Sequence, residues 1–201
     1  VLREISLALL LGERVALIGK NGSGKTTLLR CLASLSKPNA GEIIINHKLT
    51  ETNISNARAQ IGWAGASEGG FPARFTGREN LNFFGALRGL SPREISATID
   101  YWQDWKPFSE ALGTPFQFAS SGMRQALSIL RSLLHRPPVL LWDEPFRSLD
   151  PEAKLFFQKR FLALSPQHAL LFSCHSAEDA SQWASRAIRL EEGGALDVGP
   201  A

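Results

Sequence analysis

Apolar residues follow two different periods along the chain, and each period predicts a different kind of element. Continuous apolar runs at 15–18 and 139–142, and the segment 169–173, which is apolar up to its last residue Ser173, are typical of strands buried in the centre of a parallel sheet. Apolar residues at every second position of 5–9 predict a half-buried strand, and 188–190 is the last strand expected. Strands separated by helices favour a parallel sheet covered by helices.

The middle of the chain has a helical period. Residues 76–79 and 91–94 each match a capping box, in which Ser or Thr and a Glu three residues later close the first helical turn. Apolar residues recur at helical spacing behind both boxes and again over about 122–135. We therefore expect one domain, residues 1–201, in which a helical subdomain, 71–135, is inserted between 1–70 and 136–201.

Composition excludes several classes of protein. The 201 residues carry 22 basic and 19 acidic side chains, a net charge of +3, and no basic run of the kind that nucleic-acid binding needs. Cys31 and Cys174 form no metal-binding spacing, so we expect reduced thiols. No secretion signal is recognised, and no apolar run approaches the roughly 20 residues of a membrane-spanning helix. We expect no nucleic-acid partner, and any work at a membrane would be done from its surface.

A glycine-rich loop follows the strand at 15–18 and precedes a helix expected over about 25–33. Its residues match the Walker A pattern, two glycines separated by four residues and followed by Lys and a hydroxyl. Glycines let N–H groups point at phosphate oxygens, Lys25 would reach the β- and γ-phosphates, and Thr26 would bind Mg²⁺. A glycine-rich turn with a chance lysine is the alternative, but the strand–loop–helix context argues against it. The candidate ATP-binding residues are Gly19, Asn21, Gly22, Ser23, Gly24, Lys25, Thr26 and Thr27.

Two carboxylates follow the apolar run at 139–142. Asp143 would lie at the C-terminal edge of a parallel sheet, where ligands bind, and is expected to hold Mg²⁺, through water. Glu144 is the candidate for orienting and polarising the attacking water. Taken alone, this segment could be only a turn that ends a strand; the phosphate loop earlier in the chain favours the catalytic interpretation.

With these motifs in place, residues 119–125 resemble the signature sequence of the ABC ATPase family, and the resemblance to that family covers almost the whole chain. It implies that the signature residues Ser120, Ser121 and Gly122 face ATP bound to a second subunit, with Ser120 and Gly122 contacting its γ-phosphate. A hydroxyl and N–H groups at a helix N-terminus suit an anion. The alternative role of Ser120 is an ordinary helix cap, and one serine can do both.

Two further segments resemble the same family. Residues 148–150 are similar to the D-loop, which crosses the dimer interface, and this places Asp150 in that loop. Residues 171–175 are similar to the strand that ends in the switch histidine, so His175 would donate to the γ-phosphate and the attacking water. His175 and Glu144 are the catalytic candidates. The fold implied is an α/β P-loop NTPase with a mostly parallel, helix-covered sheet, an N-terminal antiparallel β portion and an inserted helical subdomain.

The chain also departs from the family pattern. Ala66 stands where the family has a glutamine that contacts Mg²⁺ and water, and Glu68 is a candidate replacement. In the signature, Ser121 replaces a glycine and Met123 a glutamine, neither with an expected loss of function. The aromatic residue that stacks on adenine in the family would lie before Val1. We therefore expect a γ-phosphate site that lacks one polar ligand.

The function implied by the resemblance is that of an ATP-binding and ATP-hydrolysing motor subunit of an ABC transporter, with similarity to bacterial exporter subunits. Two subunits, identical or homologous, would enclose two ATP molecules with Mg²⁺. A separate membrane-spanning permease subunit would carry the substrate, and the motor would lie on the cytoplasmic face of the cell membrane. Two alternatives stay open: a nucleotide-binding ABC subunit with little hydrolysis, and a soluble ABC ATPase that acts on DNA or ribosomes.

Overall fold

A six-stranded sheet lies at the centre of the fold. The computed structural model describes residues 2–65, 70–175, 177–191 and 194–200. The strands are β1 (Arg14–Ile18), β2 (Ile44–Ile45), β3 (Lys48–Leu49), β4 (Ile61–Ala64), β5 (Val139–Trp142), β6 (Ala169–Ser173), β7 (Arg186–Glu191) and β8 (Gly194–Pro200). The helices are α1 (Lys25–Leu32), α2 (Ile54–Ala59), α3 (Gly77–Leu87), α4 (Pro92–Trp102), α5 (Lys106–Gly113), α6 (Ser121–Leu133), α7 (Pro151–Leu162) and α8 (Ala177–Trp183).

The strand order of the sheet is β4-β5-β6-β1-β7-β8. The first five strands in this order, from β4 to β7, are parallel to one another, and β8 pairs antiparallel with β7. Strands β2 and β3 form a separate antiparallel hairpin. The expected fold class is confirmed: a mostly parallel sheet with helices, an N-terminal antiparallel portion and helices inserted before β5.

Two strand predictions differ from the structure. The segment 5–9 keeps its alternation of half-buried and exposed side chains and packs on the core, but it pairs with no strand in the described part of the chain. Alternation alone does not make a strand, because a β-ladder also needs a partner. The last described strand is β8, not the segment 188–190, which lies inside β7.

Four helices, α3 to α6, lie between β4 and β5. Both predicted capping boxes are present, since Thr76 and Glu79 close the start of α3 and Ser91 and Glu94 close the start of α4. Helix α4 ends at Trp102, and Trp105 directly precedes α5, a separate helix that the sequence pattern did not predict. Helices α2 and α7 were not predicted either. For α8, the sequence places a capped start at Ser176, which lies outside the described residues.

The centre of the sheet positions the site. Strands β5, β6 and β1 are neighbours in register, with Trp142 beside Phe172 and Leu17 beside Ser173. Every residue of β6 is buried. Because the three strands are parallel, the loops that follow them leave the sheet at the same edge. In the part of the chain that the structure covers, no helix has both the length and the apolar character needed to cross a membrane.

Candidate functional site

The phosphate loop connects β1 to α1 and depends on two glycines. Gly24 precedes α1 with a φ of 97°, in the left-handed region that side chains rarely adopt. A Cβ at Gly19 would lie 2.7 Å from Leu190 O and 2.8 Å from Ser23 Oγ, so this path leaves no room for a side chain. Ser23 Oγ is buried without a hydrogen-bond partner. A hydroxyl of this kind is free to contact a phosphate oxygen, so the loop fits a triphosphate.

The first residue of α1, Lys25, turns its ammonium group back into the loop. Its Nζ donates to Gly19 O at 2.7 Å and to Lys20 O at 3.1 Å, and the residue is 6% exposed. A buried ammonium at a helix N-terminus creates a positive potential where an anion can bind. Three other predicted ATP-binding residues lie exposed around this point: Asn21, Gly22 and Thr27.

Two predicted Mg²⁺ ligands meet beside the loop. Thr26 Oγ1 donates to Asp143 Oδ2 at 2.8 Å, across 117 positions of sequence. Asp143 is 2% exposed, and its other oxygen, Oδ1, accepts from Ser173 Oγ at 2.6 Å. A hydroxyl and one carboxylate next to a phosphate site suit Mg²⁺, which prefers oxygen ligands and is commonly held with phosphate oxygens. These two residues would hold the ion, whose charge would stabilise the phosphate oxygens.

The predicted catalytic pair is in direct contact. Glu144 Oε1 and His175 Nε2 lie 2.5 Å apart, although 31 positions separate them in sequence. Glu144 N donates to Ser173 Oγ at 2.9 Å, and Glu144 has a φ of 50°. A non-glycine residue in this region is strained, and such strain collects at functional sites when neighbours hold it in place. The backbone bond to Ser173 holds this residue.

Two residues of the site were not singled out by the motifs. Ser173 bridges Asp143 and Glu144 through its hydroxyl group. The sequence feature that could have pointed to it is a hydroxyl residue at the end of an otherwise apolar strand. Arg147 Nη1 lies 3.0 Å from Glu144 Oε2. The sequence points to Arg147 less clearly, because an arginine three residues after a glutamate can contact it only if the chain turns between the two.

The signature residues lie apart from this cluster. Ser120 caps α6, where its Oγ accepts from Met123 N at 3.2 Å and its N–H donates to Met123 Sδ at 3.4 Å. Ser121 is the first residue of α6, and a Cβ on Gly122 would lie 3.1 Å from Ser148 O. No hydrogen bond between described residues joins the start of α6 to the phosphate loop.

The predicted D-loop residue lies at the start of another helix. Asp150 is exposed and caps α7, with Oδ1 accepting from Ala153 N at 2.8 Å. Ala66 and Glu68 lie outside the described residues. The structure therefore brings together the phosphate loop, Asp143, Glu144 and His175, and places the signature and Asp150 at separate helix N-termini.

Similarity to known proteins agrees with this arrangement. Residues 2–147 match the family model described as ABC transporter. The chain belongs to the ABC transporter family. As an ABC protein it has the nucleotide-binding P-loop fold of the ATP-binding subunits.

Individual relatives support the same assignment. The chain is 34% identical over 192 residues to the ABC transporter ATP-binding protein NatA of Bacillus subtilis (strain 168), which covers 95% of this chain and 78% of that protein. It is 30% identical over 194 residues to Nod factor export ATP-binding protein I of Bradyrhizobium diazoefficiens, covering 96% of this chain and 63% of that protein. A solved dimeric structure of a bacterial ABC transporter cassette matches with a TM-score of 0.86 and 21% identity, over 100% of this chain and 91% of that one. The chain spans less than two thirds of the Nod factor protein.

Proposed function

We propose that this chain is the ATP-hydrolysing motor subunit of an ABC transporter. The observation that carries the proposal is the contact between Glu144 and His175 next to Lys25, Thr26 and Asp143. The first pair are groups that act on an attacking water, and the other three are groups that hold a triphosphate and its metal.

In this proposal each residue has a separate task in hydrolysis. Lys25 and the loop N–H groups bind the β- and γ-phosphates, while Thr26 and Asp143 hold Mg²⁺. Glu144 orients the water that attacks the γ-phosphorus, and His175 donates a hydrogen bond to the γ-phosphate. Positioning and charge supply most of the acceleration in phosphoryl transfer, so a site built from fixed contacts suits this chemistry.

The motor is proposed to work as a dimer, made with a second copy or with a homologous subunit. Support comes from the signature, because Ser120 and Gly122 lie at a helix N-terminus that has no hydrogen bond to the phosphate loop in the described part of the chain. A helix N-terminus that is not hydrogen-bonded to its own phosphate loop can serve the ATP of another subunit. The dimeric cassette that this chain resembles in fold is consistent with that arrangement.

A membrane-spanning permease is the proposed second partner. A cavity of about 270 Å³ lies between the sheet and the helices α3 and α6. Its rim includes Leu87, which is 68% exposed, and its described lining contains three arginines and no acidic residue. Burial, with the nearby Arg88, lowers the pKa of Arg131 to about 10. A lining with this charge is complementary to an acidic segment of a partner. The arginines are Arg58, Arg88 and Arg131.

Export from the cytoplasmic face of the membrane is the proposed direction and place. The name of the Nod factor relative states export for that protein, and the similarity covers 96% of this chain. Co-purification of the chain with a membrane-spanning protein, followed by transport in vesicles loaded with ATP, tests the partner and the direction together.

The hydrolytic function is tested by Glu144→Gln. The amide cannot accept a proton from water, so ATP turnover should nearly stop while ATP affinity stays close to that of the parent. ATP should also trap the variant as a dimer in gel filtration. Glu110→Gln, an exposed change on α5 with the same loss of charge, should hydrolyse ATP at the parent rate. A Glu144→Gln variant with the parent rate, monomeric in ATP, would remove the catalytic assignment.

A further inference from the structure

Arg147 lies beside the catalytic candidate because the chain turns after β5. Arg147 N donates to Glu144 O at 3.3 Å, and Pro145 stands at the second position of this turn, where its fixed φ is favourable. The turn brings the first and fourth side chains to the same side, and Arg147 Nη1 reaches Glu144 Oε2 at 3.0 Å.

Both oxygens of the Glu144 carboxylate are therefore engaged. Oε1 contacts His175 and Oε2 contacts Arg147. Each oxygen keeps a second lone pair, but the two contacts together fix the direction in which the carboxylate points. Losing one of the two contacts lets the carboxylate turn towards an attacking water, which is the orientation that the proposed base needs.

The backbone around this contact is fixed, so the side chains have to move. Ser173 holds the Glu144 N–H, and the neighbouring Phe146 is 3% exposed and stacks on Trp183 with ring centroids 3.9 Å apart. The Arg147 side chain is 74% exposed and points out of the packed turn. Its guanidinium is the group that can leave at least cost.

We propose that Arg147 is a positioning residue that restrains Glu144 and slows hydrolysis until the phosphates of ATP in the assembled site draw the guanidinium away. The inference rests on the proposed function, which makes Glu144 the base. When the restraint is released, water attacks the γ-phosphorus as the bond to the bridging oxygen breaks. Glu144 Oε2 takes one proton of that water, and ADP and phosphate form. Arg147 gains and loses no proton in this step.

The strength of the restraint sets the size of the effect. Ion pairs between exposed side chains are weak and are screened by salt, so the equilibrium that Arg147 controls changes by about two- to fivefold. A triphosphate offers a guanidinium more charge than one carboxylate does, so bound ATP competes with Glu144 for Arg147. The release is partial, and the fraction of molecules in which Arg147 still holds Glu144 lowers kcat at saturating ATP.

The test compares Arg147→Gln and Arg147→Lys with Lys159→Gln in the purified protein. Lys159 is exposed towards the far end of α7, so its variant loses the same charge away from the site. At saturating ATP, Arg147→Gln should raise kcat about two- to fivefold with an unchanged KM for ATP. Arg147→Lys, which can keep an ion pair, should stay near the parent, as should Lys159→Gln.

A salt series supplies the second readout. Adding KCl at saturating ATP should raise the parent rate towards that of Arg147→Gln and leave the variant nearly flat. An equal or lower kcat in Arg147→Gln, or the same salt response in both proteins, would overturn the restraint. If the parent and Glu144→Gln hydrolyse alike, the proposed function falls and the restraint with it; if only Glu144→Gln is inactive, the motor stands whatever Arg147 does.

Discussion

The edge of the sheet at β1, β5 and β6 and the N-terminus of α6 both present groups that suit phosphate, but they are held in different ways. At the sheet edge, contacts join residues far apart in sequence: Thr26 to Asp143 and Glu144 to His175. At the start of α6, Ser120 forms hydrogen bonds with its helical neighbours Met123 and Arg124. The first arrangement needs the whole fold, and the second needs one helical turn.

This difference bears on how the ATP site is completed. Long-range contacts preorganise the sheet edge within one chain, so ATP binding should need no second subunit. A locally capped helix end stays intact wherever the rest of the site lies, which suits a surface that meets its ligand only on assembly. Changes at the sheet edge should therefore alter ATP binding by the single chain, whereas changes at the signature should alter turnover and leave that binding unchanged.

The largest expected effect is that of Lys25→Ala on ATP binding. The substitution removes the buried ammonium at the centre of the loop, and with it the main fixed cation for the β- and γ-phosphates, so calorimetry should detect no binding. Lys20→Ala is the matched control, because the exposed Lys20 side chain is lost while its carbonyl group stays. Parent-like affinity in Lys25→Ala would show that the loop is not the phosphate site.

The parts of the fold that the sequence predicts well are those set by local pattern. The segments 139–142 and 169–173 coincide with β5 and β6, because a strand covered on both faces is apolar at nearly every position; Ser173 is the exception. Helix α7 was missed because its apolar residues do not lie on one face. Phe157 and Phe161 are buried, while Leu155 and Leu162 are exposed.

The site divides in the same way. Motif residues such as Lys25 and Asp143 are recognisable because phosphate and metal chemistry demand those residue types at those spacings. The contacts of Ser173 and Arg147 depend on how β6 pairs with β5 and how the chain turns after Glu144. Neither follows from periodicity, so only the three-dimensional arrangement reveals them.

An intermediate effect is expected for Ser173→Ala, which tests whether the sheet edge is tied together as described. Its hydroxyl joins the buried Asp143 carboxylate to the Glu144 N–H, and losing it leaves both without this partner. An unsatisfied buried polar group costs about 1–3 kcal/mol, so the free energy of unfolding should fall by about 2–4 kcal/mol in a urea titration.

Ser128→Ala is the control for that change. Ser128 is also fully buried, but its Oγ has no hydrogen-bond partner, so its loss should change the free energy of unfolding by less than about 0.5 kcal/mol or stabilise the protein. Equal effects of the two substitutions would mean that the Ser173 bridge does not hold the sheet edge, and the contrast with the signature would lose its basis.

The smallest effect is expected at Ser120, where a helix cap and a phosphate contact can be separated. Ser120→Ala removes the Oγ that accepts from Met123 N, so the free energy of unfolding should fall by about 1 kcal/mol. ATP affinity of the single chain should stay unchanged, because no hydrogen bond in the described structure links this residue to the phosphate loop. Turnover should fall if the hydroxyl also contacts ATP bound to a second subunit.

Two further substitutions at Ser120 distinguish the cap from the contact. Ser120→Thr keeps a hydroxyl and a cap, so stability and turnover should both stay near the parent values. Ser120→Asp is also a good cap and should restore stability, but its negative charge would repel a phosphate. Restored stability with low turnover in Ser120→Asp therefore indicates the phosphate contact. Full turnover in Ser120→Asp, measured by phosphate release at saturating ATP, would leave Ser120 as a helix cap alone.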